Sequence, residues 1–111
     1  MQQASSTQQN TTVSTGNTVG PSVATGFFSA LCARNVEYLA ANMGGALTST
    51  EEELTVYFSG LSSQCHGYRY LGSLVSPSGY QQFIAVLSYG PDGETWYVMT
   101  ADADGLAIGL E

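Results

Sequence analysis

His66 and its neighbour Cys65 are the residues of this chain best suited to chemistry near neutral pH. His66 is the only histidine, and an imidazole close to a thiol can activate it as a nucleophile. Side chains adjacent in sequence seldom meet in the geometry that such a pair needs, so we expect an exposed loop histidine beside a structural cysteine. One histidine and two distant cysteines fit no known ligand spacing, and no metal site is predicted.

The nine carboxylates fall where local structure explains them better than catalysis does. Three glutamates at 51–53 follow Thr50 as in a helix start, in which Thr50 and Glu53 would form a capping box. The Asp-x-Asp-Gly segment at 102–105 partly matches an EF-hand loop, but strand patterns flank it and a hairpin turn is expected. Because no acid or imidazole falls in a predicted strand, no catalytic residue is predicted for a sheet-lined pocket.

The charge balance excludes several classes of partner. The chain has a formal net charge of −7, with only two cationic side chains, Arg34 and Arg69. Nucleic acid and anionic lipid surfaces both require clustered lysine and arginine, so neither is expected as a partner. No apolar run approaches the ~20 residues of a membrane span, and nothing in the sequence suggests a cofactor.

The first 22 residues differ in composition from the rest of the chain. Residues 1–22 are almost entirely Gln, Ser, Thr, Asn and Gly, which cannot bury enough apolar surface to offset the entropy of ordering. We therefore expect a flexible polar tether at 1–22 and a single domain at 23–111. A tether of this kind is typical of an exported, cell-surface or extracytoplasmic domain whose signal or lipid anchor has been trimmed.

The two cysteines, Cys32 and Cys65, fit the same setting. An even cysteine count in a small exported domain favours a disulfide, which would stabilise the fold by about 3–4 kcal/mol in the chain-entropy description. The alternative is a pair of unpaired buried thiols that pack as small hydrophobes.

Hydrophobic periodicity predicts helices first and strands afterwards. A helical stripe begins near Ser22 and pauses at 34–35, a second covers 36–43, and a third starts at Thr50. Period-two patterns follow at 68–75, 80–89, 95–100 and 106–110, with turn signals at 76–79, 90–93 and 102–105. The expected class is α+β, with N-terminal helices packed on a curled antiparallel four-stranded sheet in a cone-shaped roll.

Four short segments carry a resemblance to a known superfamily. They are 27–31 (FFSAL), 35–39 (NVEYL), 95–98 (TWYV) and 104–108 (DGLAI). Together they resemble the first two helices and the last hairpin of the nuclear transport factor 2-like superfamily, which includes ketosteroid isomerase, SnoaL-type cyclases and scytalone dehydratase. The resemblance implies a cone-shaped fold with an internal pocket over residues 23–110.

The resemblance does not supply catalytic residues. Enzymes of the superfamily use an Asp or His base inside the cone, and no strand position here matches one. The frequent family ending D-G-x-W-K-I is also replaced by Gly105-Leu106-Ala107-Ile108, without the tryptophan or the lysine.

Aromatic residues in the predicted strands are the remaining candidates for a ligand site. Such residues could line the concave side of the sheet with apolar rings and phenolic tips, although ordinary core packing is the alternative. The candidates are Tyr68, Tyr70, Tyr80 and Trp96. Trp96 is expected to be buried, so that its truncation would cost about 3–5 kcal/mol.

The functional hypothesis from sequence is therefore a non-catalytic exported domain. It would bind a small apolar ligand or a protein partner through the cone pocket or the outer sheet face. One alternative is a pocket enzyme of isomerase or dehydratase type that uses His66 or Glu37. Another is a structural module that forms a homodimer through the sheet face.

Overall fold

Three helices followed by a four-stranded antiparallel sheet make up residues 21–111, the part of the chain that the computed structural model describes. The helices are α1 (Pro21–Ala33), α2 (Val36–Ala41) and α3 (Glu51–Ser59). The strands are β1 (Gly67–Val75), β2 (Gln81–Ser88), β3 (Glu94–Ala101) and β4 (Ala107–Leu110). This order confirms the predicted α+β class. The predicted tether lies outside the described residues except for its last two positions, which begin α1.

The helix boundaries follow from capping residues. Pro21 opens α1, a position where a missing N–H costs nothing. At α2 the Asn35 side chain accepts a hydrogen bond from the Tyr38 backbone N–H at 3.1 Å. The predicted capping box is confirmed in α3: Glu53 N–H donates to Thr50 Oγ1, and Thr50 N–H donates to Glu53 Oε1.

The strands form a meander in which each strand pairs with the next, in the order β1-β2-β3-β4. A bulge between Tyr70 and Gly72 interrupts the pairing of β1 with β2, and Gly72 adopts a φ of 148° that other residues rarely take. β4 is flanked by the segment after α2, where Met43 forms a parallel bridge to Ala107. That bridge explains why α2 ends two residues before the predicted limit at 43.

The pairing register separates the two faces of the sheet. The helix-facing side carries the core, in which the sheet residues Phe83, Ala85, Leu87, Met99 and Ala101 are all 1% exposed or less. They pack against buried residues of α1 and α2, chiefly Phe27, Phe28 and Leu39.

No helix within residues 21–111 covers the opposite side, and we call it the outer face. Three cross-strand rows define it by register: Arg69–Val86–Trp96, Gly72–Ile84–Val98 and Leu74–Gln82–Thr100. Glu94, opposite Ser88, extends the face at one end. Glu94 also corrects the expectation that no carboxylate falls in a strand, because it is the first residue of β3.

The predicted disulfide is present between Cys32 in α1 and Cys65 just before β1, with the Cα atoms 5.0 Å apart. Arg34 reinforces the same corner. Its guanidinium donates to the backbone oxygens of Phe58 at 3.3 Å and Ser63 at 2.5 Å, and lies 5.7 Å from the centre of the Phe58 ring. The corner therefore joins the end of α1 to α3 and to the loop that enters β1.

None of the helices within residues 21–111 has the length and apolar character needed to cross a membrane.

Candidate functional site

The four aromatic residues predicted to line one pocket do not lie together. Tyr68 and Tyr70 pair with Leu87 and Ala85, which places them on the helix-facing side. Trp96 pairs with Val86 on the outer face. Tyr80 precedes β2 and is 45% exposed. A single aromatic pocket built from these four residues is therefore not present, because strand alternation puts them on opposite sides of the sheet.

Tyr68 and Tyr70 have structural contacts that account for their positions. The Tyr68 hydroxyl donates to the backbone oxygen of Thr25 at 3.2 Å and ties β1 to α1. The Tyr70 ring packs 6.4 Å from that of Phe83. Burial raises the pKa of Tyr70, an effect partly offset by its hydrogen bond with Ser73. Both tyrosines therefore act as half-buried core residues.

Trp96 is not the buried aromatic that the sequence predicts, since its exposed fraction is 64%. Its neighbour Val86 on the same face is only 1% exposed although it lies outside the core cluster. The register puts Trp96 and Arg69 on either side of Val86. Trp96 therefore lies on the outer face and is not part of the core.

Other large apolar residues on and beside the outer face are also exposed, although Leu74 and Tyr80 lie at the opposite end of the strands from Trp96. Leu71 at the bulge is 47% exposed, and Leu74 and Tyr80 are 43% and 45% exposed. We call Leu71, Leu74, Tyr80 and Trp96, with the row residues Ile84, Val86 and Val98 between them, the outer apolar patch. Polar Gln82 and Thr100 share a cross-strand row with Leu74 and interrupt this patch. Exposed apolar surface on a small domain typically marks an interaction site.

The outer face carries little of the chain's charge. Arg69 and Glu94 form an exposed ion pair, with Nη2 to Oε2 at 3.4 Å, and so offset each other. Glu111, whose backbone pairs with that of Val98, adds one carboxylate at the rim. The other carboxylates lie in α2, in α3 and in the turns, so most of the formal charge of −7 lies away from this face.

The Cys65–His66 pair has no free thiol, because Cys65 is bonded to Cys32. His66 is exposed, as expected for a loop histidine. Glu37, the other residue considered for a pocket enzyme, is exposed in the first turn of α2. Neither side chain has the apolar enclosure that tunes an acid or base for catalysis.

A hydroxyl, an imidazole and a carboxylate lie near one another beside the disulfide, and no local sequence pattern predicted this. Ser63 donates a short hydrogen bond to the carboxylate of Asp92. The His66 ring lies against Gly90, where a Cβ would be 3.1 Å from Nε2. The serine bonds the carboxylate directly instead of the imidazole, so the arrangement differs from a catalytic triad. It fastens the loop before β1 to the turn between β2 and β3.

The acidic turn at 102–105 is likewise explained by local bonds. One oxygen of Asp102 accepts the backbone N–H groups of Asp104 and Leu106, both at 2.9 Å. Gly105 has a φ of 84°, which completes the turn. Between residues 21 and 111 no group of three His, Cys, Asp or Glu side chains is placed to hold a metal ion.

Tyr97 has the most strongly perturbed pKa in the described part of the chain, and it contacts Tyr89. Their hydroxyls are 3.5 Å apart near the disulfide. Burial, together with the hydrogen bond and charge of Tyr89, raises the pKa of Tyr97 to about 12. A phenol that stays protonated to such high pH supplies almost no phenolate to accept a proton at neutral pH, so the contact of Tyr89 with Tyr97 is structural.

A cleft lies on the helix-facing side, between α1, α2 and the turn that joins β3 to β4. Its volume is about 140 Å³, and its lining includes Tyr38 and Asn42 of the α2 region. The sequence contained a partial signal, since Tyr38 and Asn42 are four residues apart on one helical face. It contained none for the opposite wall, because the bridge from Met43 to Ala107 that brings the turn close is a non-local contact.

Comparison with models of known protein families, with curated protein sequences and with solved structures finds no match for this chain.

Proposed function

We propose that this chain is a non-catalytic, extracytoplasmic binding module that docks a protein partner on the outer apolar patch. The observation that carries the proposal is the 64% exposure of Trp96 on a sheet face that none of the helices in the described part of the chain covers. Tryptophan is among the residues that contribute most to protein interfaces, where it fills a pocket of the partner. A face that exposes a tryptophan and leucines is costly to keep in water unless something covers it.

The charge distribution supports a protein as the occupant. The Arg69–Glu94 pair keeps the patch close to neutral, and its rim can bond a polar border on the partner. A strongly acidic partner would be repelled by the rest of a chain of charge −7. We therefore expect a partner with a neutral or basic surface and an apolar depression that receives Trp96.

The extracytoplasmic setting rests on the disulfide and the composition. Disulfides persist in oxidising compartments, and the chain has no lysine but a polar segment rich in Ser, Thr and Gln ahead of the domain. We also propose that the chain is related to the nuclear transport factor 2-like superfamily. The helices-first order and the open meander are compatible with it.

A second copy of the chain is the alternative occupant of the outer apolar patch, and one feature of the face favours it. The patch carries a projecting side chain at Trp96 and an open position at Gly72, where a Cβ would meet nothing within 4 Å. A two-fold arrangement could place the tryptophan of each copy over the glycine of the other. At ordinary strand spacings the face spans roughly 26 by 19 Å, or about 500 Å². This is below the ~800 Å² per partner of a stable interface, so a contact confined to this face would be weak for either occupant.

Site-specific photo-cross-linking in the source organism separates these occupants. A photoreactive residue at Leu74 reports on the outer face, and one at Val56, 72% exposed on α3, is the matched control. We expect one adduct of defined mass from Leu74 and none from Val56. The purified partner should then bind at least tenfold more weakly to Trp96→Ala than to the wild type. Equal labelling from both positions, or unchanged affinity of Trp96→Ala, would refute the proposal, whereas an adduct of twice the chain mass would select the homodimer.

A further inference from the structure

The cleft beside α1 has walls from two helices and a rim from one turn. Val23 and Phe27 lie one helical turn apart on α1, and Tyr38 and Asn42 lie one turn apart across the end of α2. The remaining lining residues come from the sheet side and are Met99, Asp104, Gly105 and Ala107. Phe27, Met99 and Ala107 are 1% exposed or less, so they form an apolar floor below a partly open mouth.

Backbone and side-chain contacts hold these walls in place. Gly26 lets the Tyr38 ring lie directly on α1, since a Cβ at that position would collide with the Tyr38 hydroxyl. Asn42 Nδ2 donates to the Tyr38 backbone oxygen at 2.8 Å, and the Asn42 backbone oxygen accepts from Ala107 N–H at 2.9 Å. The rim is fixed by the two bonds to Asp102 in the turn. The cleft is therefore formed before any ligand binds.

The volume of the cleft sets the size of its ligand. About 140 Å³ is close to the ~150 Å³ of an engineered apolar cavity that accepts benzene. A molecule with one six-membered ring and a short polar group fits this space. A steroid or any other fused-ring ligand does not.

The charge of the cleft lining determines the sign of the charge that a ligand should carry. Asp104 is the one charged residue in it, and both arginines of the chain are engaged elsewhere, Arg34 with Phe58 and Ser63 and Arg69 with Glu94. The aromatic residues Phe27 and Tyr38 also line the cleft, and aromatic rings attract cations. In a chain of charge −7, an anion would be repelled from this mouth.

We propose that the cleft binds a small organic cation with a single ring. Its ring lies between Val23 and Tyr38, over the floor of Phe27 and Met99, and its ammonium group faces Asp104. This site is on the opposite side of the sheet from the outer apolar patch, and the proposal does not depend on the docking of a protein there.

The test is an NMR titration of the full chain with three probes of one shape. Benzylammonium is cationic, benzyl alcohol is neutral and benzoate is anionic at neutral pH. We expect a millimolar dissociation constant for benzylammonium, as is usual for so few heavy atoms, weaker binding of the alcohol and none of benzoate. The amide shifts should centre on Gly105, Ala107 and the Asn42 side chain. Absence of saturable shifts, shifts centred on Trp96, or benzoate binding as tight as benzylammonium would overturn the proposal.

Two variants make the result specific to the cleft. Asp104→Asn should weaken benzylammonium binding about three- to fivefold, as expected for one exposed charge pair, and leave benzyl alcohol unchanged. Glu52→Gln, which removes the same charge from α3 outside the lining, is the matched control and should have no effect. Val23→Trp should fill the cleft and abolish the binding of both benzylammonium and benzyl alcohol. An equal effect of Asp104→Asn and Glu52→Gln would also overturn the proposal, and that comparison stands even if Val23→Trp fails to fold.

Discussion

Removal of the Cys32–Cys65 bridge should destabilise the domain by an amount that the chain entropy fixes. The cysteines are 33 positions apart. For a loop of that length, the chain-entropy relation predicts that the bridge lowers the entropy of the unfolded chain by about 12–13 cal/mol/K. This corresponds to about 3.8 kcal/mol of stability at 25 °C. The double variant Cys32→Ala/Cys65→Ala should therefore lose a large part of the total stability of a domain of this size.

The magnitude converts into a shift of the melting temperature. At about 2.1 cal/mol/K per residue, the unfolding entropy of the described domain is about 190 cal/mol/K, so 3.8 kcal/mol corresponds to a Tm lower by about 20 °C. Calorimetry or circular dichroism of the wild type, the reduced wild type and the double variant measures it. The reduced protein and the variant should agree within a few degrees, because both lack the same cross-link.

Arg34 modifies this expectation in a testable direction. Its hydrogen bonds to Phe58 and Ser63 hold the same loop without the disulfide, so Arg34→Ala should cost more in the double variant than in the oxidised wild type. A Tm change below about 5 °C on removal of the bridge would contradict the entropic reasoning. Free thiols in protein made under oxidising conditions would contradict the pairing itself.

Three further predictions concern single side chains. The pKa of Tyr97 is raised to about 12, so its contribution to the free energy of unfolding should be complete below pH 10 and should decline as the pH approaches 12. Denaturant unfolding at pH 9 and pH 11 measures this decline in stability. The decline should be smaller for Tyr97→Phe than for the wild type, with Tyr80→Phe as the control. Thr50→Ala should cost about 1 kcal/mol by removing the α3 cap, and an unchanged urea midpoint would contradict the capping role. Trp96→Ala should cost well below the 3–5 kcal/mol expected for buried Phe83→Ala, and equal losses would show that Trp96 is buried.

Local sequence signals predicted most of the architecture. The capping box at Thr50 and Glu53 and the turn signals at 90–93 and 102–105 all act within a few residues, and the structure has the corresponding elements. The disulfide was also predictable, because only two cysteines are available to pair.

The features that sequence reasoning missed depend on contacts across the chain. Strand alternation predicts that Trp96 and Tyr97 lie on opposite faces of the sheet. It does not predict which of the two faces the helices cover. Proposing Trp96 with Tyr68 in one pocket therefore failed for a tertiary reason. The Met43–Ala107 bridge and the Ser63–Asp92 bond likewise join segments with no local pattern in common.

Trp96 is the only tryptophan of the chain, so tryptophan fluorescence reports on the outer face alone. Because the indole is 64% exposed, acrylamide should quench the fluorescence of the dilute, folded protein with a Stern–Volmer slope close to that of the chain unfolded in urea. When the cross-linked partner, or a second copy at high concentration, occupies the outer apolar patch, the slope should fall severalfold and the emission should shift to the blue. A tryptophan that is shielded in the dilute monomer, or one that remains fully quenchable in the complex, would contradict the assignment of the outer face as the docking surface.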